Sequence, residues 1–355
     1  MNRKTASRSV ISILLICAVF FGMVSFGSEE AYASYNSRRL WSKKIGGRDL
    51  CVNLRNMLGE KAGGGYSVVQ GSCTDGTCVY YLMVSSSNQR GRVLKVRLKD
   101  HAVVKRGPVV DVRHGNGMTY DSNRHRLVVV GCEHRRCELV TIDADTLRVN
   151  GKKKIDYRAA RNWKVRSGNY YYGLSAIAYI PEYDCFVSLQ RNTRDLLVLN
   201  ADFKVIGMAK TRITSRYSGT YQAMDADTKY VYLLMSEDQD NSGRQPYNQI
   251  LAIDWNSENL FPYVRGGDRN FAKVWNCNNN KNGREDAVIR IKTNNEAESL
   301  YHTTDRNGRE HFYMAEYCPY SNHAYVTKKS GQKVKKRLKT AYRKDDYVYD
   351  LGILR

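Results

Sequence analysis

Five polar residues recur at equivalent points of one repeated phrase, and their types restrict the chemistry available to them. The phrases are QGSCTDGTCVYYLMV from Gln70, NGMTYDSNRHRLVVV from Asn116, SAIAYIPEYDCFVSL from Ser175, QAMDADTKYVYLLM from Gln222 and ESLYHTTDRNGREHFYMAE from Glu298. Three amides, a hydroxyl and one carboxylate therefore lead the repeats, with His114 and Glu296 two positions earlier in their own copies. Amides and hydroxyls exchange hydrogen bonds with sugar hydroxyls. Glycosyl transfer needs an acid paired with a base or nucleophile, and Glu298 and Glu296 are the carboxylates placed for that role. Oxygen donors beside an imidazole also suit a hard cation, so His114, Glu296 and Glu298 form a candidate calcium set. Asp121 and Asp225 lie further along and read as turn or strand-end residues. No Gly-x-Ser-x-Gly elbow, phosphate loop or His-Glu-x-x-His pattern occurs.

A second set of candidates is basic. The formal net charge is +22, and nine of the 17 residues from Lys328 to Lys344 are Lys or Arg, among them Lys335, Lys336 and Arg337. Such a balance points to a polyanionic partner. The choice of polyanion follows from the compartment. Arg3, Lys4 and Arg8 precede an apolar run from Val10 to Phe26 and a small-residue site at Ala31-Tyr32-Ala33, the pattern of a secretory signal peptide over residues 1–33. The mature chain from residue 34 then keeps a net +21. Outside the cell the polyanions are wall polymers and acidic polysaccharides; nucleic acid is not the expected partner, and no membrane span is expected after cleavage.

Cysteine usage fits that compartment. Removal of Cys17 leaves eight cysteines, and two pairs, Cys73/Cys78 and Cys132/Cys137, share a spacing of four intervening residues. Each is expected to bridge the neck of a hairpin. The pairing of Cys51, Cys185, Cys277 and Cys318 stays open.

The elements that must carry these residues are short strands. The five phrases begin 46, 59, 47 and 76 residues apart, and each leads into further β-rich runs such as RVLKVRL from Arg92, CELVTID from Cys137, DLLVLNA from Asp195 and QILAIDW from Gln249. Units near 45 to 50 residues with several strands each predict an all-β fold, a five-bladed β-propeller, as one domain over residues 34–355 with a basic segment at 328–344. The long interval holds NCNNNKNGRED from Asn276, read as an inserted loop. YVYDLGIL from Tyr347 reads as the last strand, closed by residues around Trp41 to Ile45. Gly71, Gly115 and Gly117 are expected to let crowded inner strands approach one another. In that geometry Gln70, Asn116, Ser175, Gln222 and Glu298 ring one mouth of the central channel.

The phrases QGS at Gln70, HGNGMTYD at His114, YQAMDAD at Tyr221 and NEAESL at Asn295 resemble the blade starts of propellers in phage receptor-binding proteins, teichoic-acid-biosynthesis-C-like proteins and helveticin-type bacteriocins. The resemblance covers roughly residues 60–327 and implies a five-bladed propeller attached to Gram-positive envelope polymers. Two expectations result. One is a secreted or wall-associated monomer that binds an anionic wall polymer or polysaccharide through Gln70, His114, Asn116, Gln222, Glu298, Lys335, Lys336 and Arg337. The other is a carbohydrate-active enzyme, a glycoside hydrolase or lyase, with its site at the channel mouth.

Overall fold

The computed structural model describes residues 40–44, 50–54, 57, 65–85, 89–133, 136–156, 174–190, 195–211, 220–236, 247–255, 260–262, 287–292, 296–317, 321–327, 330, 333–342 and 347–353. The signal segment, the Asn-rich stretch, Cys277 and Cys318 lie outside the described residues.

Two strands, β1 (Leu40–Lys44) and β2 (Leu50–Asn53), precede the first blade. That blade holds β3 (Tyr66–Thr74), β4 (Cys78–Ser85), β5 (Arg90–Arg97) and β6 (Val103–Arg106), with the short β7 (Val110–Asp111) also pairing to β5. The second holds β8 (Met118–Asp121), β9 (Arg126–Glu133), β10 (Arg136–Asp143) and β11 (Val149–Lys154). The third holds β12 (Leu174–Ile180), β13 (Cys185–Gln190), β14 (Leu196–Asn200) and β15 (Val205–Thr211). The fourth begins with β16 (Thr220–Ala226), β17 (Tyr230–Ser236) and β18 (Tyr247–Asp254). After β18 the chain lays β19 (Leu260–Pro262) on the edge of the third blade, then returns as β20 (Ala287–Lys292). The fifth has β21 (Glu296–Thr304) and β22 (Glu310–Tyr317), then a separate hairpin of β23 (Ser321–Thr327) and β24 (Lys333–Tyr342), then β25 (Tyr347–Ile353).

The inner strands β3, β8, β12, β16 and β21 touch in that cyclic order, and β21 touches β3 again. The sheets therefore form a closed five-bladed β-propeller. Each of the five phrases supplies an inner strand and the strand paired to it. The second strands β4, β13 and β17 are buried on both faces, so YYLMV, CFVSL and YVYLLM read as continuous apolar runs rather than as alternation.

Closure differs from the expectation at one point. The strand that completes the fifth sheet against β25 is β2, with Leu50 opposite Tyr349 and Asn53 opposite Tyr347. β1, which contains Trp41, instead runs parallel to β20 and covers the outer edge of the fourth blade, where an unpaired ladder would otherwise face solvent.

Packing follows the ring. Five apolar clusters lie between consecutive sheets, for example Val130 and Leu139 against Phe186 and Leu197 between the second and third blades. Another joins the first and fifth blades through Tyr81 and Leu94 against Tyr301 and Val348. Full burial of side chains this size contributes about 1.5–3 kcal/mol each, so every blade depends on both neighbours.

Candidate functional site

The five leading residues of the repeats occupy one structural position. The ladder between β3 and β4 skips Gln70; likewise β12 skips Ser175, β16 skips Gln222 and β21 skips Glu298. Each is the extra residue of a β-bulge, left out of pairing with its own sheet. Asn116 stands just before β8. All five are buried, between 3% and 6% exposed.

Gln70, Asn116 and Gln222 bond across blades, whereas Ser175 bonds within its own. The Gln70 carbonyl accepts from the Gly117 N–H at 3.1 Å, and the Asn116 Nδ2 donates to the Ser175 carbonyl at 2.9 Å. Ser175 Oγ donates to the Leu189 carbonyl at 3.2 Å, and the Gln222 amide donates to Glu296. Two acceptors are left over: Gln70 Oε1 and Asn116 Oδ1 are buried and meet no hydrogen-bond partner. A buried acceptor without a donor costs about 1–3 kcal/mol.

The calcium set does not assemble. His114 lies in the turn leading to the second blade and Glu296 and Glu298 in the fifth, with the inner strand of the first blade between them. Among the described residues no three His, Cys, Asp or Glu side chains are grouped to hold a metal ion.

Chain direction fixes which loops share this mouth. An inner strand enters at the ring and turns at the far end, so the connection from second to third strand returns to the ring end. The hairpin β23–β24 sits in that connection of the fifth blade, between β22 and β25. It contains Lys335, Lys336 and Arg337, paired respectively with Tyr325, Ala324 and His323; the side chains of these basic residues lie outside the described ones.

The two cysteine pairs part company. Cys73 is opposite Tyr80, so Cys78 is its diagonal neighbour, and both are free buried thiols. Diagonal positions stand too far apart for a disulfide, whose Cβ atoms must come within about 3.5–4.5 Å. The predicted Cys73/Cys78 bridge is absent for that reason. Cys132 and Cys137 are directly opposite in the β9–β10 hairpin, a spacing a bridge can span, although their side chains are outside the described residues.

The opposite mouth holds a cavity of about 340 Å³ whose lining comes from all five inner strands or the turns after them. The repeats place an aspartate at the end of each inner strand or in the turn after it. Asp75 Oδ1 accepts from Thr77 N and Cys78 N while its Oδ2 accepts from Tyr80 Oη at 2.7 Å. Asp227 repeats this with Lys229 N, Tyr230 N and Tyr232 Oη. Asp121 ends β8 and is held by Arg126 at 2.8 Å. Asp184 pairs with Arg124 at 2.7 Å, which outweighs partial desolvation and, with Tyr179 Oη, holds its carboxyl down to about 2.

Asp225 is not a turn residue. Its Oδ2 accepts from both the backbone N of His302, at 2.9 Å, and His302 Nδ1, at 2.8 Å, joining the fourth inner strand to the fifth. Burial alone would lower the His302 pKa; Asp225, with Asp227 and Glu310 behind it, outweighs burial and raises it. Thr119 Oγ1 makes the same kind of latch between the second and third blades, accepting from Tyr179 N at 3.0 Å. Only the turn aspartates had a local signal in the repeats. The Asp225–His302 pair spans 77 positions and had none.

No protein-family model and no curated protein matches the chain. Among solved structures it is similar to hydrazine synthase of Kuenenia stuttgartiensis, at 14% identity and a TM-score of 0.40, over 76% of this chain and 84% of that one. It is also similar to a chain of a nidogen/laminin complex, at 9% identity and 0.37, over 80% and 84%. A third similarity is to glutaminyl cyclase of Myxococcus xanthus, at 10% and 0.33, over 47% and 67%. At these scores the fold rests on the strand order described above.

Proposed function

We propose that this protein is a secreted or wall-associated binding propeller that docks an anionic glycopolymer of the cell envelope on its ring mouth. The observation that carries this reading is the pair of buried, unpartnered amide oxygens of Gln70 and Asn116. They call for a ligand rich in hydrogen-bond donors, which sugar hydroxyls are. The basic hairpin emerges at the same end and supports charge attraction to phosphate or carboxylate groups along the polymer. Selectivity would then reside in Gln70, His114, Asn116, Gln222 and Glu298, and affinity in Lys335, Lys336, Arg337 and their neighbours.

The test is sedimentation of the purified protein with Gram-positive walls, before and after removal of teichoic acid, across a salt series, with the supernatant assayed for sugar. Binding that requires the polymer and weakens as salt shortens the screening length, without sugar release, is expected. Replacing Lys335, Lys336 and Arg337 together by Gln should weaken binding and flatten its salt dependence. Binding indifferent to both the polymer and this substitution would sink the proposal. Released saccharide would instead assign glycosyl transfer, with Glu298 and Glu296 as the acid pair.

A further inference from the structure

We infer that the cavity at the far mouth is a binding site for a small organic cation, an ammonium or guanidinium group on a compact body. In a chain of net charge +22, the described residues that line this cavity include Asp75, Glu182, Asp225 and Asp227, one imidazole, that of His302, and no Lys or Arg. Even with His302 protonated, negative charge is in excess. The arginines beside the cavity are already engaged, Arg124 by Asp184 and Asp121 and Arg126 by Asp121.

The carboxylates retain acceptor capacity. A carboxylate offers about four lone-pair directions, and Asp75 and Asp227 each receive two backbone N–H groups and one tyrosine hydroxyl. Asp225 receives the backbone N–H of Ala226 in addition to His302. Among the described residues the closest approaches of a basic side chain to Asp225 and Asp227 are those of His302, at 2.8 and 4.0 Å.

An independent feature points to a missing ligand. Ser72 lies on the cavity wall, is 4% exposed, and its Oγ has no hydrogen-bond partner. A hydroxyl buried this way and left unpaired destabilises the fold, and it supplies an acceptor beside the acidic group. The rest of the lining suits the body of an organic cation: Met118 and Met224 are apolar and buried, and Tyr120 and Tyr179 bring aromatic rings. Aromatic faces attract cations through their quadrupole. A volume near 340 Å³ is at the small end of ligand pockets.

Calorimetric titration of the purified protein with 1,4-diaminobutane, agmatine and benzylammonium tests this, with butanediol as the uncharged control. At least one of the cations is expected to bind with a Kd below about 1 mM, and butanediol is not. Ser72→Ala should weaken that binding several-fold while leaving the melting temperature unchanged or raised, because the orphan hydroxyl is gone. Thr304→Lys, at the exposed rim, should abolish it by placing a tethered ammonium at the mouth. Absence of heat with all three cations, binding of butanediol as strong as that of the amines, or undiminished binding in both variants would overturn the inference. Wall binding at the opposite mouth is measured separately, so either site can fail without the other.

Discussion

Gly117 has φ of +103°, and a Cβ built there would lie 3.1 Å from Ala176 Cα and 3.3 Å from Ile177 N, both backbone atoms of the neighbouring inner strand. Gly71 presses in the same way on Met118 N, at 2.9 Å. Neither contact can be relieved by moving a side chain. Gly117→Ala is therefore expected to cost about 1–3 kcal/mol, read as a lower denaturation midpoint in urea. Both glycines were legible because they sit beside a repeated polar residue; His302 was not, since its partner arrives from another blade. Its raised pKa has a consequence with a definite sign. A histidine whose folded pKa exceeds its unfolded value, near 6.5, contributes stability in full below about pH 6.5. That contribution fades as pH climbs through the folded pKa. Denaturation midpoints should fall as pH rises from about 6.5 through the folded pKa in the native protein and fall less in His302→Gln; equal slopes would show that Asp225, Asp227 and Glu310 do not hold the imidazole charged.

At the scale of the strand, the bulge is what makes the ring. A regular inner strand would present Gln70, Ser175, Gln222 and Glu298 to its own sheet's ladder; skipping one residue in each releases a carbonyl and re-aims a side chain. The sequence shows where the polar residue recurs but not that it is the skipped one, because register depends on the partner strand. Register also separates the cysteine pairs, which look alike as spacings. Peptide mapping of the oxidised protein should find Cys132 linked to Cys137, with Cys73 and Cys78 alkylated only after unfolding. A linked Cys73–Cys78 peptide would contradict the diagonal arrangement of β3 and β4. Burial, reinforced by Asp225 and Asp75, also pushes the Cys73 thiol pKa up, which disfavours the reactive thiolate.

At the scale of the molecule, the blade count was legible because each phrase carries two strands and a turn. The closing partner was not: β1 and β2 are both short and apolar in places, and only the free edges of the fourth and fifth sheets decide which goes where. Since β2 completes the fifth blade, a chain truncated before residue 54 is expected to lose cooperative unfolding throughout, not in one blade alone. A permuted chain that carries residues 46–60 behind β25 on a short linker should recover it, because β2 and β25 are antiparallel neighbours. Circular dichroism melts of the two chains check this.

The same closure sets an order in time. Cys51 donates its thiol hydrogen to the carbonyl of Val348, 297 positions later. At synthesis rates of about 5–20 residues per second, the early strand waits on the order of tens of seconds for its partner. Until then the fifth sheet holds only β21 and β22 and lacks its outer pair, β25 and β2. A product terminated before Tyr347 would leave β2 without its partner strand and the fifth blade open at its edge, with all five inner strands already made.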